Sequence, residues 1–426
     1  MKLTFVNHAS FIIEHNDFKI ICDPWLDGCA FNNGWKLLSE TKMKYSEFES
    51  ITHIWFSHEH PDHFSPPNLL KIPKEIRSKI TVLFQETTDR KVAKFCEKVG
   101  FKNQIELKEN EYYEIGKDVS IQCNPYTEGD SYALFKIKDF KILNLNDCIV
   151  DTDLKAKKIA EKLGEVDLLF TQFSYANKIG NVDDIELRKK VAKGKLERIR
   201  LQNKYLKPKK IIPFASFVYF CHQENSYMNN GINKIDTVHD FIVNELKTEC
   251  MVMYPEDSWV INEQWDSSAA IEKYLSDYEN INNHFLKSKK VSEQELIDNS
   301  IEFVEKIKNG YPKRKRFINS MKSIIYVSDL NMTFKLSGKK GLKQIKSIDE
   351  KLCDISIGSD SLNYCFKELW GGDTLNVNGR FQICDKRKYK KFRDFGNISS
   401  SLNRREDFPV QSKIQRLNNK IKRLFA

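Results

Sequence analysis

No two of the ten cysteines stand as a C-x-x-C pair or in a close cluster. This argues against a disulfide framework and a zinc knuckle, and leaves the thiols as small buried hydrophobes. Long apolar runs are missing as well: stretches such as Ile211 to Phe220 fall well short of the ~20 residues that a membrane-spanning helix needs. The opening residues Met1 to His8 lack the apolar stretch and cleavage site of a signal peptide and read instead as a first strand, so a cytoplasmic location is expected. Neither an internal repeat nor a low-complexity block occurs. What is present is an ordinary globular balance, 40% hydrophobic, 12% aromatic and 30% charged, over 426 residues. That length exceeds what one hydrophobic core usually serves, so a large domain plus something smaller is expected. The formal charge of +10 would suit nucleic acid, but much of the excess sits in Lys189 to Lys210 and Arg404 to Arg423. Such runs are usually solvated helix faces, and an anionic small substrate would be served equally well.

Over the first 260 residues short runs rich in Ile, Val and Phe alternate with amphipathic stretches. That is the pattern of buried strands layered with helices, an α/β fold. Leu3–Phe5, Lys19–Cys22, His53–Phe56, Lys141–Asn144 and Lys210–Pro213 are among the strands expected, and Asp184–Leu206, interrupted by Gly194, is expected to be helical. From about Ser267 the character changes. Two helices are expected over 269–286 and 292–308, the second opening on the capping box Ser292-Glu293-Gln294-Glu295. Short strands then surround a helix at Ser359–Leu369, with Gly371-Gly372-Asp373 marking a turn. The expected organisation is therefore a catalytic domain over 1–262, a helical segment over 263–320, a small α+β module over 321–395 and a basic tail over 396–426.

One segment carries most of the chemical information. In Ile54-Trp55-Phe56-Ser57-His58-Glu59-His60-Pro61-Asp62-His63-Phe64 an apolar strand ends and four potential ligands follow within six positions. Imidazoles at i and i+2 on extended backbone point to the same side, so His58 and His60 can grip one ion. Asp62 and His63, on the tightening turn, can reach a second.

This segment is the H-x-H-x-D-H motif of the metallo-β-lactamase superfamily, which the chain resembles in several further stretches. Asn7-His8-Ala9-Ser10 looks like the opening turn of its lactonase-like branch, and Asp23-Pro24-Trp25-Leu26 like its second-strand motif, where the Asp supports a ligand His. The resemblance implies a four-layer αββα fold, Asp147 bridging two ions, and His222 as the last ligand. More narrowly, residues 1 to 260 are similar to the metallo-β-lactamase-like part of the CMP-N-acetylneuraminate hydroxylases, through Asp23-Pro24-Trp25, Ala30-Phe31, Gly34-Trp35, the metal loop, Asn144 to Cys148 and Pro213-Phe214-Ala215 to His222. The paired Cys and His spacings of the Rieske iron–sulfur domain of those enzymes do not occur here, so the resemblance implies electrons from a separate donor. Where hydrolases of the superfamily present a histidine before the bridging Asp, this chain has Cys123-Asn124-Pro125-Tyr126-Thr127-Glu128-Gly129-Asp130. Glu128 is the natural replacement, and a Glu in that motif resembles the di-iron β-hydroxylase of chloramphenicol biosynthesis. An added carboxylate favours iron over zinc, because an anionic oxygen donor stabilises higher oxidation states.

The expected centre therefore has His58, His60 and Glu128 on one iron, Asp62, His63 and His222 on the other, and Asp147 joining them, with zinc or manganese as the alternative metals. Asp62, Glu128 and His8 are the candidate catalytic groups. Ser174, Tyr175, Phe214, Ser216, Asn225 and Tyr227 flank the metal-bearing segments as candidate substrate-cleft residues, although aromatic residues there are more often core. The leading expectation is a di-iron monooxygenase that hydroxylates or N-oxygenates a small metabolite, nucleotide-linked or amine-bearing. The alternative is a dinuclear hydrolase, a lactonase or phosphodiesterase, whose metals lower the pKa of a bound water. A nucleic-acid-binding protein with structural metals comes last. The C-terminal stretch around Trp370-Gly371-Gly372-Asp373 faintly resembles sterol-carrier-like modules; covering the active-site cleft or making a homo-oligomer contact are the roles open to it.

Overall fold

The structure is a computed structural model and describes residues 1–281 and 285–409, the side chain of Glu128 excepted. It divides into two units: residues 1–179, 184–221 and 226–285 form the first, and residues 180–183, 222–225 and 286 onward form the second.

In the first unit sixteen strands follow the order expected of the apolar runs. They are β1 (Lys2–Asn7), β2 (Ser10–His15), β3 (Phe18–Cys22), β4 (Trp35–Leu37), β5 (His53–Trp55), β6 (Thr81–Gln85), β7 (Asn103–Leu107) and β8 (Tyr112–Gly116), then β9 (Val119–Pro125), β10 (Ser131–Ile137), β11 (Phe140–Asn144), β12 (Leu168–Gln172), β13 (Lys210–Phe214), β14 (Val218–Phe220), β15 (Glu249–Cys250) and β16 (Ser258–Val260). One seven-stranded sheet runs β16-β1-β2-β3-β5-β6-β7, the other β15-β13-β12-β11-β10-β9-β8, and β4 pairs with β14 alone. From β3 to β7 along the first sheet, and from β11 to β15 along the second, neighbours are parallel. Parallel neighbours need crossover connections, which is why helices alternate with these strands.

The period-2 alternation of side chains sets the layers. On β5, Ile54 turns outward to a cluster with Val82, Leu69, Ile72, Val92 and Cys96, four of them from the helices Pro66–Lys71 and Lys91–Val99 or their flanks. Trp55 turns inward and meets Phe135 of the other sheet edge-to-face at 5.9 Å. Phe11 of β2 likewise stacks on Phe170 of β12 at 4.1 Å. The helix Ile185–Leu206 lies on the outer face of the second sheet, where Thr171 of β12 donates to Gln202 at 2.7 Å. Gly194 does not interrupt it, since the surrounding turns are tied down by packing. The result is the four-layer αββα arrangement.

The helix Ser268–Asn280, expected in a separate segment after residue 262, belongs to this first unit. Its Tyr274 stacks on Phe217 at 4.1 Å and donates to the Met253 carbonyl at 2.9 Å. The second unit holds the helix Glu293–Gly310 and a five-stranded sheet over β17 (Lys322–Val327), β18 (Met332–Ser337), β19 (Gly341–Gln344), β20 (Ile355–Ile357) and β21 (Phe381–Ile383). Gly371-Gly372 opens the helix Gly371–Asn378 rather than marking a turn. A Cβ on Gly371 would lie 2.6 Å from the Cys365 Cα, and one on Gly372 would lie 2.7 Å from the Gly396 Cα, so these glycines serve close packing. The start of the expected basic tail is the helix Tyr389–Asn403, which buries Phe392, Phe395 and Ile398; residues 410–426 of that tail lie outside the described residues.

Candidate metal centre

Strand ends at one rim of the sandwich supply every group of the site. β1 ends before His8, β3 before Asp23, β5 before the loop Ser57–His63, β9 before Asp130 and β11 before Asp147. Three of these ends turn through left-handed backbone: φ is +42° at His8, +40° at Asp23 and +50° at Asn146. Ala215 after β13 adds a fourth at +53°, and its N–H donates to the His8 carbonyl at 2.8 Å. Non-glycine residues in that region cost ~1–2 kcal/mol each and persist where the surroundings over-determine them.

Ligand-type atoms converge in three overlapping groups: His58, His60 and Asp130; His58, His63 and Asp147; His8, Asp62 and His63. His58 Nε2 lies 3.8 Å from Asp130 Oδ1 and 4.0 Å from Asp147 Oδ2. His63 Nε2 lies 3.5 Å from Asp147 Oδ2 and 3.2 Å from Asp62 Oδ2, and His8 Nε2 is 3.4 Å from the same Asp62 oxygen. His58 Nε2, His63 Nε2 and Asp62 Oδ1 are buried with no hydrogen-bond partner. Leaving such atoms unsatisfied costs ~1–3 kcal/mol apiece, a cost that coordination to a cation removes, so the residues fit the metal pair expected of them. His60 is exposed and Asp147 half-buried, so the centre opens to solvent on their side.

The carboxylates draw positive charge inward. Burial pushes His63 down, but Asp62 and Asp147 beside it carry it well above the ordinary histidine range. Burial would raise Asp147, yet His63 and then His58 hold it at about 2. Burial, followed by the charges of His63 and His60, keeps His58 well below its ordinary value and therefore neutral, the form a ligand must take. Behind the ligands Asp23 organises the loop. It accepts the Ser57 N–H and hydroxyl at 2.7 Å each, Asn146 Nδ2 at 2.8 Å and His63 Nδ1 at 3.0 Å. Ser57 Oγ in turn lies 2.9 Å from His58 Nδ1. The outer partners of both ring ligands thus converge on one carboxylate, which fixes ring orientation and leaves Nε2 facing the centre.

The basic helix is also divided. Lys189, Lys190 and Lys193 are exposed, as a solvated face requires, whereas Lys195 is buried and Arg198 half-buried. Lys195 donates to Gln172 Oε1, and Gln172 Nε2 donates to Asp147 Oδ1 at 2.9 Å. Burial, aided by Arg198, brings Lys195 down to about 7.

The carboxylate that joins His58 and His60 is Asp130, not read as a ligand from the sequence; the Glu128 side chain lies outside the described residues. The signal was the position of Asp130 directly ahead of β10, since strand ends are where this site gathers its groups. His222 belongs to none of the three ligand groups. It lies in the second unit, buried, with Ser288 Oγ 3.4 Å from Nε2 and Glu224 Oε2 3.4 Å from Nδ1, and burial followed by the Arg380 charge lowers it to about 4. Asn225, also in the second unit, donates to the Asn378 carbonyl at 2.6 Å. Among the expected cleft residues of the first unit, Phe214 is buried against Phe170 and Phe11, and Tyr175 donates to the Met228 carbonyl. Ser216 Oγ accepts the N–H groups of Phe173 and Ser174 at 3.1 Å each, and Ser174 Oγ accepts the Asn233 N–H at 3.0 Å. These polar atoms are committed to backbone, so the residues brace strand ends instead of lining a cleft. Tyr227 is half-buried, 3.0 Å from Lys178 Nζ.

Two sheets face to face, helices outside both, and a His-x-His-x-Asp-His loop at the end of β5 define the metallo-β-lactamase fold. Residues 2–190, a little under half of the chain, match the family model of the beta-lactamase superfamily domain. Among curated proteins, the cytidine monophosphate-N-acetylneuraminic acid hydroxylase of Mus musculus is 26% identical over 257 residues, 55% of this chain and 42% of the mouse protein. That of Xenopus laevis is 31% identical over 159 residues, 35% of this chain and 26% of the frog protein. The matches thus span well under half the length of these relatives. Among solved structures, CmlA, a diiron beta-hydroxylase from Streptomyces venezuelae, is 15% identical with a TM-score of 0.43, covering 61% of this chain and 54% of CmlA. An isothiocyanate hydrolase from Delia radicum gut bacteria is 14% identical with a TM-score of 0.44, covering 61% of this chain and 99% of the hydrolase.

Proposed function

We propose that the first unit holds two iron ions and is an oxygenase that uses dioxygen and electrons from a separate donor to hydroxylate a small metabolite. His58, His60 and Asp130 hold one ion, Asp62, His63 and His8 hold the other, and Asp147 lies between them. The observation that carries this reading is the ligand set itself: three carboxylates among four imidazoles is oxygen-rich for zinc and suits iron in its higher states. Two iron ions, when bound, supply the binding and reduction of dioxygen. The chain's own part is to hold the rings through Asp23 and Ser57, to fix the Asp147 carboxylate through Gln172, and to leave the His60 side open to substrate. Similarity to sialic-acid hydroxylases supports a nucleotide-linked substrate, and the Rieske cluster of that family supports a 2Fe–2S protein as the electron donor.

The test is to produce the full chain in iron-rich medium, count metal per chain, and follow its absorption during reduction and exposure to oxygen. Two irons per chain and an optical change on reduction are expected. Stoichiometric zinc with no optical change, together with turnover of lactones or phosphodiesters without oxygen or reductant, would assign the same centre to hydrolysis.

A further inference from the structure

The helix Ile185–Leu206 buries Arg188, Ala192, Lys195, Ile199, Gln202 and Leu206, an inward stripe at helical spacing. Lys195 sits in the middle of that stripe and is only 9% exposed. Among the described residues it makes no ion pair; its amine reaches the end of β12 and donates to Gln172 Oε1. Taking a charged amine out of water without a carboxylate beside it costs free energy, and an apolar side chain would fill the stripe without that cost. What the lysine adds is a donor at one particular oxygen.

That oxygen governs what Gln172 does at the centre. An ionised carboxylate can only accept, so the amide must turn Nε2 toward Asp147, and Nε2 donates to Asp147 Oδ1 at 2.9 Å. Oε1 then points the other way, to Lys195. The terminal torsion of an aspartate is broad and roughly two-fold, so its own rotamer does not fix the carboxylate plane. The backbone beneath it is fixed: Asn146 is left-handed, with φ +50°, and the Leu145 N–H donates to the Phe170 carbonyl of β12 at 3.0 Å. With Oδ1 taken by Gln172, Oδ2 is the oxygen turned to the ligand rings, 3.5 Å from His63 Nε2 and 4.0 Å from His58 Nε2.

We propose that Lys195 is a positioning residue of the metal centre: it holds the Gln172 amide in the orientation that keeps Asp147 Oδ1 occupied and presents Asp147 Oδ2 to the ions. This rests on the metal pair proposed for the first unit and holds for iron and zinc alike. Lys195 acts in series, through Gln172 and then Asp147. When its amine is removed, Oε1 has no donor, the amide is free to turn, and the carboxylate that lies between the ions is free to rotate.

The experiment titrates the purified full chain with cobalt(II) in competition with a chelator dye and records the visible absorption of the loaded protein, which follows the arrangement of ligands around the ion. The native chain is expected to take two ions. Lys195→Met is expected to hold them about tenfold more weakly, the low end for a residue that supports a ligand, and to show an altered spectrum. Lys195→Arg, which restores a donor, is expected to recover both. Lys195→Gln, polar but too short to reach Gln172 Oε1, is a second variant expected to show the same loss. Gln172→Met is expected to match Lys195→Met, and the double variant to be no weaker than either, because the two side chains act in one series. Native affinity and spectrum in Lys195→Met or Lys195→Gln, or losses that add in the double variant, would overturn the assignment. A native chain that takes no pair of cobalt ions would instead overturn the metal centre itself, a result read before any variant is made.

Discussion

Asp130 and Glu128 are two residues apart, and only one is needed beside His58 and His60. Asp130 stands within 3.8 Å of His58 Nε2 at the mouth of β10, so Asp130→Asn is expected to drop bound metal from two ions per chain to about one, while Glu128→Gln retains both. Metal counting by plasma emission on the two purified variants checks this, and loss of metal from Glu128→Gln alone would return the ligand role to Glu128. Asp23 acts one layer back. A buried carboxylate that accepts four hydrogen bonds leaves four groups unsatisfied when removed. Asp23→Ala is expected to weaken metal affinity ~10–100-fold and to cost about 3 kcal/mol of stability, read by competition with a chelator dye and by urea denaturation.

At the scale of elements, β5 does two things at once. Its buried centre joins the layers, and its end delivers the ligand loop. At its start, His53 packs on the Phe18 ring at 5.0 Å with Nδ1 2.8 Å from Thr52 Oγ1, and burial lowers it from 6.5 to about 4. A histidine kept neutral in the folded chain contributes nothing adverse above pH 6.5. As pH falls from 6.5 towards 4 the unfolded chain takes up a proton that the folded one refuses, and stability is lost. Because His53 is part-exposed the loss is discounted to on the order of 1–2 kcal/mol. Urea midpoints of the native protein and His53→Phe between pH 7 and 4 are therefore expected to diverge in acid, the variant losing less; parallel profiles would remove His53 from the acid limb.

The described residues divide into two units, and the second has a core of its own. The second unit packs its sheet and helices around Phe303, Val304, Ile325, Phe334 and Ile355, none of them near a ligand in sequence. Metal bound only to the folded first unit stabilises it by mass action, about 2.7 kcal/mol at a free concentration of 100 times Kd. Calorimetry with and without a chelator is expected to show a transition that moves down when metal is withdrawn, and an unmoved thermogram would deny that the ions are linked to folding.

The pattern of apolar runs, the α/β layering and the ligand loop from His58 to His63 were legible in the sequence, because each depends on residues close along the chain: strand periodicity, and four ligands within six positions. Asp23 and Asp147 were legible only through family resemblance. What tertiary structure alone decided were the groups brought in from a distance. Asp130 joins His58 and His60 and His8 joins Asp62 through the ends of separate strands, whereas His222 enters a different hydrogen-bonded cluster. Whether Lys195 faces inward while Lys193 faces solvent depends on how one helix is rotated on its sheet. Spacing along a chain encodes local direction, but the choice among distant partners is made by burial, since each polar group taken out of water must find the partner that the packed layers leave within its reach.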